Sequence, residues 1–205
     1  MPLVLASRIL EAYEKDDFIG ALVYGPHRIG KSTYAALVLH EIYQDWDEVL
    51  KHMLFDIRDV IRTLRDAQKH HQKIPALVWD DCGVHANKML YFSNRRLVQS
   101  LQQMLDVVGL TVSGFIFTTP SPANVLRVLR GYEFYRIKVV KRDEYNGRVA
   151  IGYQQSLLPS GMRIIRRKFR DNFQAILPDD VWKEYVKQRQ KYLNFALKEL
   201  EKVVK

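Results

Sequence analysis

The sequence predicts an α/β protein: a doubly wound, mostly parallel sheet with helices on both faces, followed by a C-terminal β-hairpin and a long terminal helix. Three observations carry this. Up to residue 119, short apolar runs alternate with amphipathic stretches, the pattern of strands covered on both faces alternating with helices. A glycine-bounded loop joins the first run to a helical stretch. After Pro122 and a short helical stretch, the apolar runs give way to segments in which apolar and basic or polar residues alternate, as in an antiparallel pair with one covered face.

The elements follow in order. Ser7 to Lys15 reads as a short amphipathic helix with Ile9, Leu10 and Tyr13 on one side. FIGALVYG, residues 18–25, is a buried strand ending in glycine, and Lys31 to Tyr43 a helix. HMLFD, residues 52–56, reads as a second strand, and residues 57–71 as a helix with apolar positions 57, 60, 61 and 64. Pro75 precedes a third strand, ALVWDD. Asn94 to Val108 is a third helix, and VSGFIFTT, stopped by Pro120, a fourth strand. ANVLRVLRG is a short helix ending at Gly131. FYRIKVVKR and RVAIGYQQ then alternate about a turn at DEYNG, giving a hairpin with one apolar and one basic face. The basic segment MRIIRRKFR comes next. Asp179 and Asp180 cap the last helix, whose apolar stripe runs through Trp182, Tyr185, Val186, Leu193, Leu197 and Leu200.

Composition narrows the class. The chain has 205 residues, 47% hydrophobic and 27% charged, enough for one α/β core with an elaboration. Residues 1–122 form that core and residues 123–205 the elaboration completing the same domain. No apolar run reaches the roughly 18 residues of a membrane helix, and no signal peptide is expected. A single cysteine, Cys82, excludes an internal disulfide and fits a reducing, cytoplasmic setting (host cytoplasm or virion, if the source is viral). The net charge is +9, but residues 1–122 carry −1 and residues 123–205 carry +10. The basic excess points to a polyanionic partner, DNA before an acidic membrane.

Residues 25–32, GPHRIGKS, fit G-x-x-x-x-G-K-[ST] between a strand and a helix, the context a phosphate-binding loop requires. Gly25, Pro26, His27, Arg28, Ile29 and Gly30 would cradle phosphates with backbone N–H groups. Lys31 would reach the β- and γ-phosphates, Ser32 would ligate Mg²⁺, and Thr33 would lie near the α-phosphate. The expected cofactors are ATP and Mg²⁺. In ALVWDD, an apolar strand delivers two acids at its C-terminal end, the edge where parallel sheets bind ligands. Asp80 would hold the Mg²⁺ shell, and Asp81 would accept a proton from the attacking water. Thr118 and Thr119 end the next strand, where the additional-strand, catalytic-acid branch of P-loop ATPases, which these segments resemble, carries a polar residue that orients water against the γ-phosphate; β-propensity explains them equally well.

Together these segments resemble the additional-strand, catalytic-acid branch of P-loop ATPases. ALVWDDCG resembles the Asp-Asp-x-Gly segment of DnaC-type helicase loaders. TTPSPANVLRVLRGYEFYRIKVV resembles the segment after the fourth strand in FtsK–HerA-type DNA motors, where a short helix ending in arginine leads into another strand. The small size and basic C-terminal part also look like genome-handling ATPases of archaeal viruses and plasmids. The sequence departs from the motor pattern at Ile29-Gly30, at Asp81 and at Thr118/Thr119, where that family usually has glycine-serine, Glu and Gln.

The resemblance implies a homo-oligomer in which an arginine reaches a neighbour's γ-phosphate. Arg95, Arg96, Arg127 and Arg130 are candidates near the expected sheet edge, and Arg130 matches the motor pattern best. Arg136, Lys138, Arg142, Arg163, Arg166, Arg167, Lys168 and Arg170 are candidate DNA contacts, meeting phosphates without sequence readout. Tyr132, Phe134 and Tyr153 either stack on bases or belong to the core. Cys82 and His85 lack the second pair a zinc site needs. The expected function is ATP turnover coupled to DNA packaging, translocation or loading. The rivals are a small-metabolite kinase and a nucleotide-gated binding module without turnover.

Overall fold

The computed structural model describes residues 2–84, 95–142 and 146–204. The described elements are α1 (Val4–Glu14), β1 (Ile19–Tyr24), α2 (Lys31–Tyr43), α3 (Trp46–His52), β2 (Met53–Leu54), α4 (Ile57–Lys69) and β3 (Ile74–Trp79). They continue with α5 (Arg95–Val107), β4 (Val112–Thr119), α6 (Arg127–Gly131), β5 (Tyr135–Lys141), β6 (Gly147–Leu157), β7 (Arg163–Gln174) and α7 (Asp179–Val204).

The strands form one seven-stranded sheet in the order β2-β3-β4-β1-β5-β6-β7. From β2 to β5 all pairings are parallel; β5–β6 and β6–β7 are antiparallel. β4 therefore lies between the strand leading into the glycine loop and the strand carrying the acids. Because β1 pairs with both β4 and β5, the N- and C-terminal parts of the chain share one sheet.

Successive strand residues point to opposite faces, and helices cover both. On one face Leu5 and Ile9 of α1, Tyr34, Val38 and Leu39 of α2, and Val49 of α3 pack against Val23, Val78, Ile116, Ile137 and Val139. On the other, Val60 and Leu64 of α4 and Val98, Leu101 and Leu105 of α5 pack against Leu22, Leu77, Trp79, Phe115 and Phe117. α1 crosses β4 so closely that a Cβ on Gly114 would stand 2.5 Å from Ile9. This is a P-loop NTPase fold: a doubly wound, mostly parallel sheet whose glycine loop joins strand to helix at the C-terminal edge.

Several local expectations are corrected. α1 starts three residues earlier and buries Leu5, Ala6, Ile9 and Ala12, leaving Tyr13 exposed. The second strand is two residues long, because Asp45 caps the preceding helix α3 through the Asp47 and Glu48 N–H groups and the chain stays helical to His52. On α4, Val60, Leu64 and Ala67 are buried, whereas Ile61 is exposed. The basic segment after the hairpin is itself a strand, β7, so the hairpin becomes a three-stranded meander. Asp179 and Asp180 stand in the first turn of α7, where the Pro178 carbonyl accepts from Trp182 N–H. Residues 143–145 of the expected turn, His85, and Asn94 of the expected third helix lie outside the described residues.

Candidate active site

The glycine loop leaves β1 and ends at the N-terminus of α2. Gly25 (φ 152°), Arg28 (φ 60°) and Gly30 (φ 100°) have positive φ, a backbone that side-chain-bearing residues rarely adopt. A Cβ at Gly30 would also stand 3.2 Å from that of Ala175. α2 begins with no side-chain cap and no acid in its first turn, in contrast to α3 and α4, capped by Asp45 and Asp56. An uncapped helix start presents unpaired N–H groups and the positive end of the helix dipole. That donor set fits the phosphates of a nucleotide.

Lys31, the first residue of α2, is nearly buried, 6% exposed. Its ammonium donates to Pro26 O at 2.9 Å. Burial pulls its pKa below the usual value, opposed by the Asp81 and Asp80 carboxylates. Ser32 Oγ donates to Asp80 Oδ1 at 3.0 Å, so the loop and the end of β3 meet through one hydrogen bond. Asp80 is fully buried. Thr118 Oγ1 also donates to its Oδ1, and Tyr185 of α7 donates to Oδ2 at 2.8 Å. Burial raises the Asp80 pKa and the neighbouring Asp81 charge adds to it, while the three hydroxyl donors hold it down. Hydroxyl and carboxylate oxygens suit Mg²⁺, which takes one or two protein oxygens alongside phosphates. Among the described residues no cluster of three or more His, Cys, Asp or Glu side chains forms a larger metal cage.

Asp81 has φ 49°, turning the chain sharply off the end of β3. Its N–H donates to Thr118 Oγ1 at 2.8 Å, so Thr118 ties both acids together. Its Oδ2 accepts from Arg189 of α7 at 2.6 Å. Two residues of the terminal helix thus reach across more than a hundred positions to grip the acid pair. A third cation, Arg148 of β6, donates through Nε to Ile29 O at 3.0 Å.

These groups line a cavity of about 690 Å³ above the loop. His27, Arg28, Gly30, Lys31, Ser32, Thr33 and Asp81 form one wall; Arg148, Leu177, Trp182, Tyr185, Val186 and Arg189 form much of the other. Tyr185, Arg189, Arg148 and Trp182 were not singled out as site residues from sequence. One signal was present: Arg189 falls at helical spacing between Val186 and Leu193, a charge set into an apolar stripe.

The remaining predicted residues are dispersed. Thr119 Oγ1 donates to Ser121 O at 3.2 Å. Arg130 does not line the cavity; α6 leads into the start of β5, which pairs with Ala21 near the beginning of β1, so Arg127 and Arg130 lie toward the edge away from the loop. Arg95 and Arg96 are exposed on the first turn of α5. Phe134 is buried and stacks on Phe117 and Tyr132.

The meander brings the basic segments together. Arg136 pairs with Tyr153, which pairs with Arg167; Lys138 pairs with Ile151, which pairs with Arg170. Directly paired residues share a face, so Arg136, Lys138, Arg167 and Arg170 form two adjacent rows around Tyr153. Lys138, Arg167 and Arg170 are exposed. Arg166, paired with Gln154, points to the opposite face. Lys168 sits at a bulge where the pairing skips from Phe169 to Arg167. Arg142 is exposed just past β5. Arg163 opens β7, and its side chain lies outside the described residues.

No family model matches the chain. Two virus proteins are similar to it. An uncharacterized protein, B-251, of Sulfolobus spindle-shape virus 1 is 28% identical over 98% of this chain and 86% of its own length. An uncharacterized protein, ORF286, of Acidianus two-tailed virus is 30% identical over 82% of this chain and 60% of its own length, so the match leaves two-fifths of that relative uncovered. Among solved structures, a KaiC-like protein of Pyrococcus horikoshii gives a TM-score of 0.43 at 13% identity over 72% of this chain and 89% of that one. The N-terminal domain of zonular occludens toxin of Neisseria meningitidis gives 0.41 at 12% identity over 82% and 98%. Both scores fall below 0.5, so the fold assignment rests on this chain's own strand order and loop.

Proposed function

We propose that the chain binds and hydrolyses ATP and couples that turnover to handling DNA by packaging, translocation or loading. One observation carries the proposal: Lys31, Ser32, Asp80 and Asp81 converge at the C-terminal edge of the parallel strands, in the same sheet whose antiparallel strands carry the basic rows. Loop N–H groups and Lys31 bind the phosphates, and Arg148 adds positive charge beside them. Ser32 and Asp80 would hold Mg²⁺, which would supply positive charge to offset that of the phosphates. Asp81 accepts a proton from water as the water oxygen bonds to the γ-phosphorus. The bond from that phosphorus to the β–γ bridging oxygen breaks, leaving ADP and phosphate. Thr118 is a positioning residue that holds Asp80 and the Asp81 backbone in register. Arg136, Lys138, Arg167 and Arg170 bind DNA phosphates, with Arg142, Arg163, Arg166 and Lys168 extending the contact. Arg130 is offered to a neighbouring copy in a homo-oligomer.

Phosphate release from ATP with Mg²⁺ tests the chemical half. Turnover by the intact chain, lost in Lys31→Ala and Asp81→Asn, is expected. Retained turnover in both variants, or phosphate moved only onto a small acceptor, contradicts it.

A further inference from the structure

Lys31, Arg148 and Arg189, three of the four Lys and Arg side chains lining the cavity, differ in their partners. Lys31 and Arg148 donate to the loop carbonyls of Pro26 and Ile29. Arg189 instead pairs with a carboxylate, Asp81, at 2.6 Å. The Asp81 side chain is only 20% exposed, against 47% for Arg189, so the guanidinium covers the acid from the solvent side. Lys31 stands close enough to Arg189 to be repelled by it and is drawn to Asp81. Asp81 is therefore an anion placed between two cations at the mouth of a phosphate loop, with the charge of Asp80 behind it. An added anion there would draw the more exposed cation, Arg189, away from Asp81, because a guanidinium bonds phosphate at least as well as carboxylate. The Asp81 oxygen that now accepts from Arg189 would then be free to accept from water.

We propose that Arg189 distinguishes a nucleoside triphosphate from a diphosphate, its guanidinium exchanging between Asp81 and the terminal phosphate so that the acid is released for catalysis only when that phosphate is present. This rests on the ATP-binding reading above. It makes α7 part of the nucleotide site, and it makes triphosphate binding and release of the catalytic acid one event. Tyr185, one helical turn earlier, stays on Asp80 and keeps α7 docked during the exchange.

Equilibrium binding of ADP and of a non-hydrolysable ATP analogue, both with Mg²⁺, provides the test without depending on turnover. In Arg189→Ala the analogue should bind about 10- to 100-fold more weakly while ADP changes by less than about threefold, the scale of one charge-assisted hydrogen-bond pair. Arg189→Lys should recover part of the difference. Asp81→Asn, which removes the competing anion, should tighten the analogue in the parent background more than in the Arg189→Ala background. Equal losses for both nucleotides, no loss for either, or an equal gain from Asp81→Asn in both backgrounds would overturn the exchange. A parent chain that binds neither nucleotide would instead overturn the phosphate-site reading, and this inference with it.

Discussion

On the parallel side of the sheet Lys31, Asp80 and Thr118 are buried and held by named partners; on the antiparallel side Lys138, Arg167 and Arg170 stand exposed in rows. The first arrangement suits chemistry, where each atom must be placed and the low dielectric strengthens each contact. The second suits a polyanion, where many screened charges add and none needs a fixed geometry. On the proposed function one sheet carries both kinds of site, and the consequence is unequal sensitivity. Single changes should be severe on the parallel side and mild on the other.

Asp171 breaks that division most sharply. It lies on β7, directly after the basic residues, yet it is 3% exposed and points inward. Its carboxylate accepts from the Val4 and Leu5 N–H groups and from Tyr34 OH at 2.6 Å, capping α1 and fastening α2 to the antiparallel strands. Asp171→Ala leaves these donors without their acceptor and should cost about 2–4 kcal/mol, measured by denaturant unfolding. A loss no larger than that of an exposed neighbour would remove Asp171 as the fastening between the halves.

The basic rows give the next largest effect. Neutralising Arg167 and Arg170 together should weaken DNA binding about tenfold at low salt and reduce the slope of log affinity against log salt by about 2, with little dependence on sequence. Titration of fluorescent DNA at several salt concentrations reads both quantities. An unchanged slope would place the DNA contact elsewhere.

His52 gives the smallest effect and sharpens the contrast on the buried side. Its ring stacks on Tyr43, and burial pulls its pKa below the usual 6.5 despite Nδ1 lying 2.9 Å from Glu48 O. The nearby Glu48 carboxylate, 3.4 Å away, therefore faces a neutral ring near pH 7. The unfolded chain takes up the proton first as pH falls. His52 thus contributes stability that is full above about pH 6.5 and is lost as pH drops toward the depressed folded value, by at most about 1.4 kcal/mol per unit. Thermal melts between pH 7.5 and 5 should show a flatter slope in His52→Gln.

The parallel half was the more legible in sequence. Apolar runs marked β1, β3 and β4 because both faces of each are covered, and the loop and paired acids sit where such strands end. Short β2 was blurred because its residues run directly on from α3, whose Asp45 cap follows closely on the previous helix. β7 was read only as a basic segment, since its alternation is shifted by the bulge near Tyr153. The role of α7 was hidden for another reason. Tyr185 read correctly as a buried stripe residue, but its hydroxyl meets Asp80 across 105 positions, a contact that helical periodicity within one segment does not encode.

The coupling of the two halves is the central claim, and ATP turnover with and without DNA tests it most directly. Turnover raised severalfold by DNA at low salt, with the gain shrinking as salt rises, is the predicted result. Turnover indifferent to DNA at every salt concentration would contradict it.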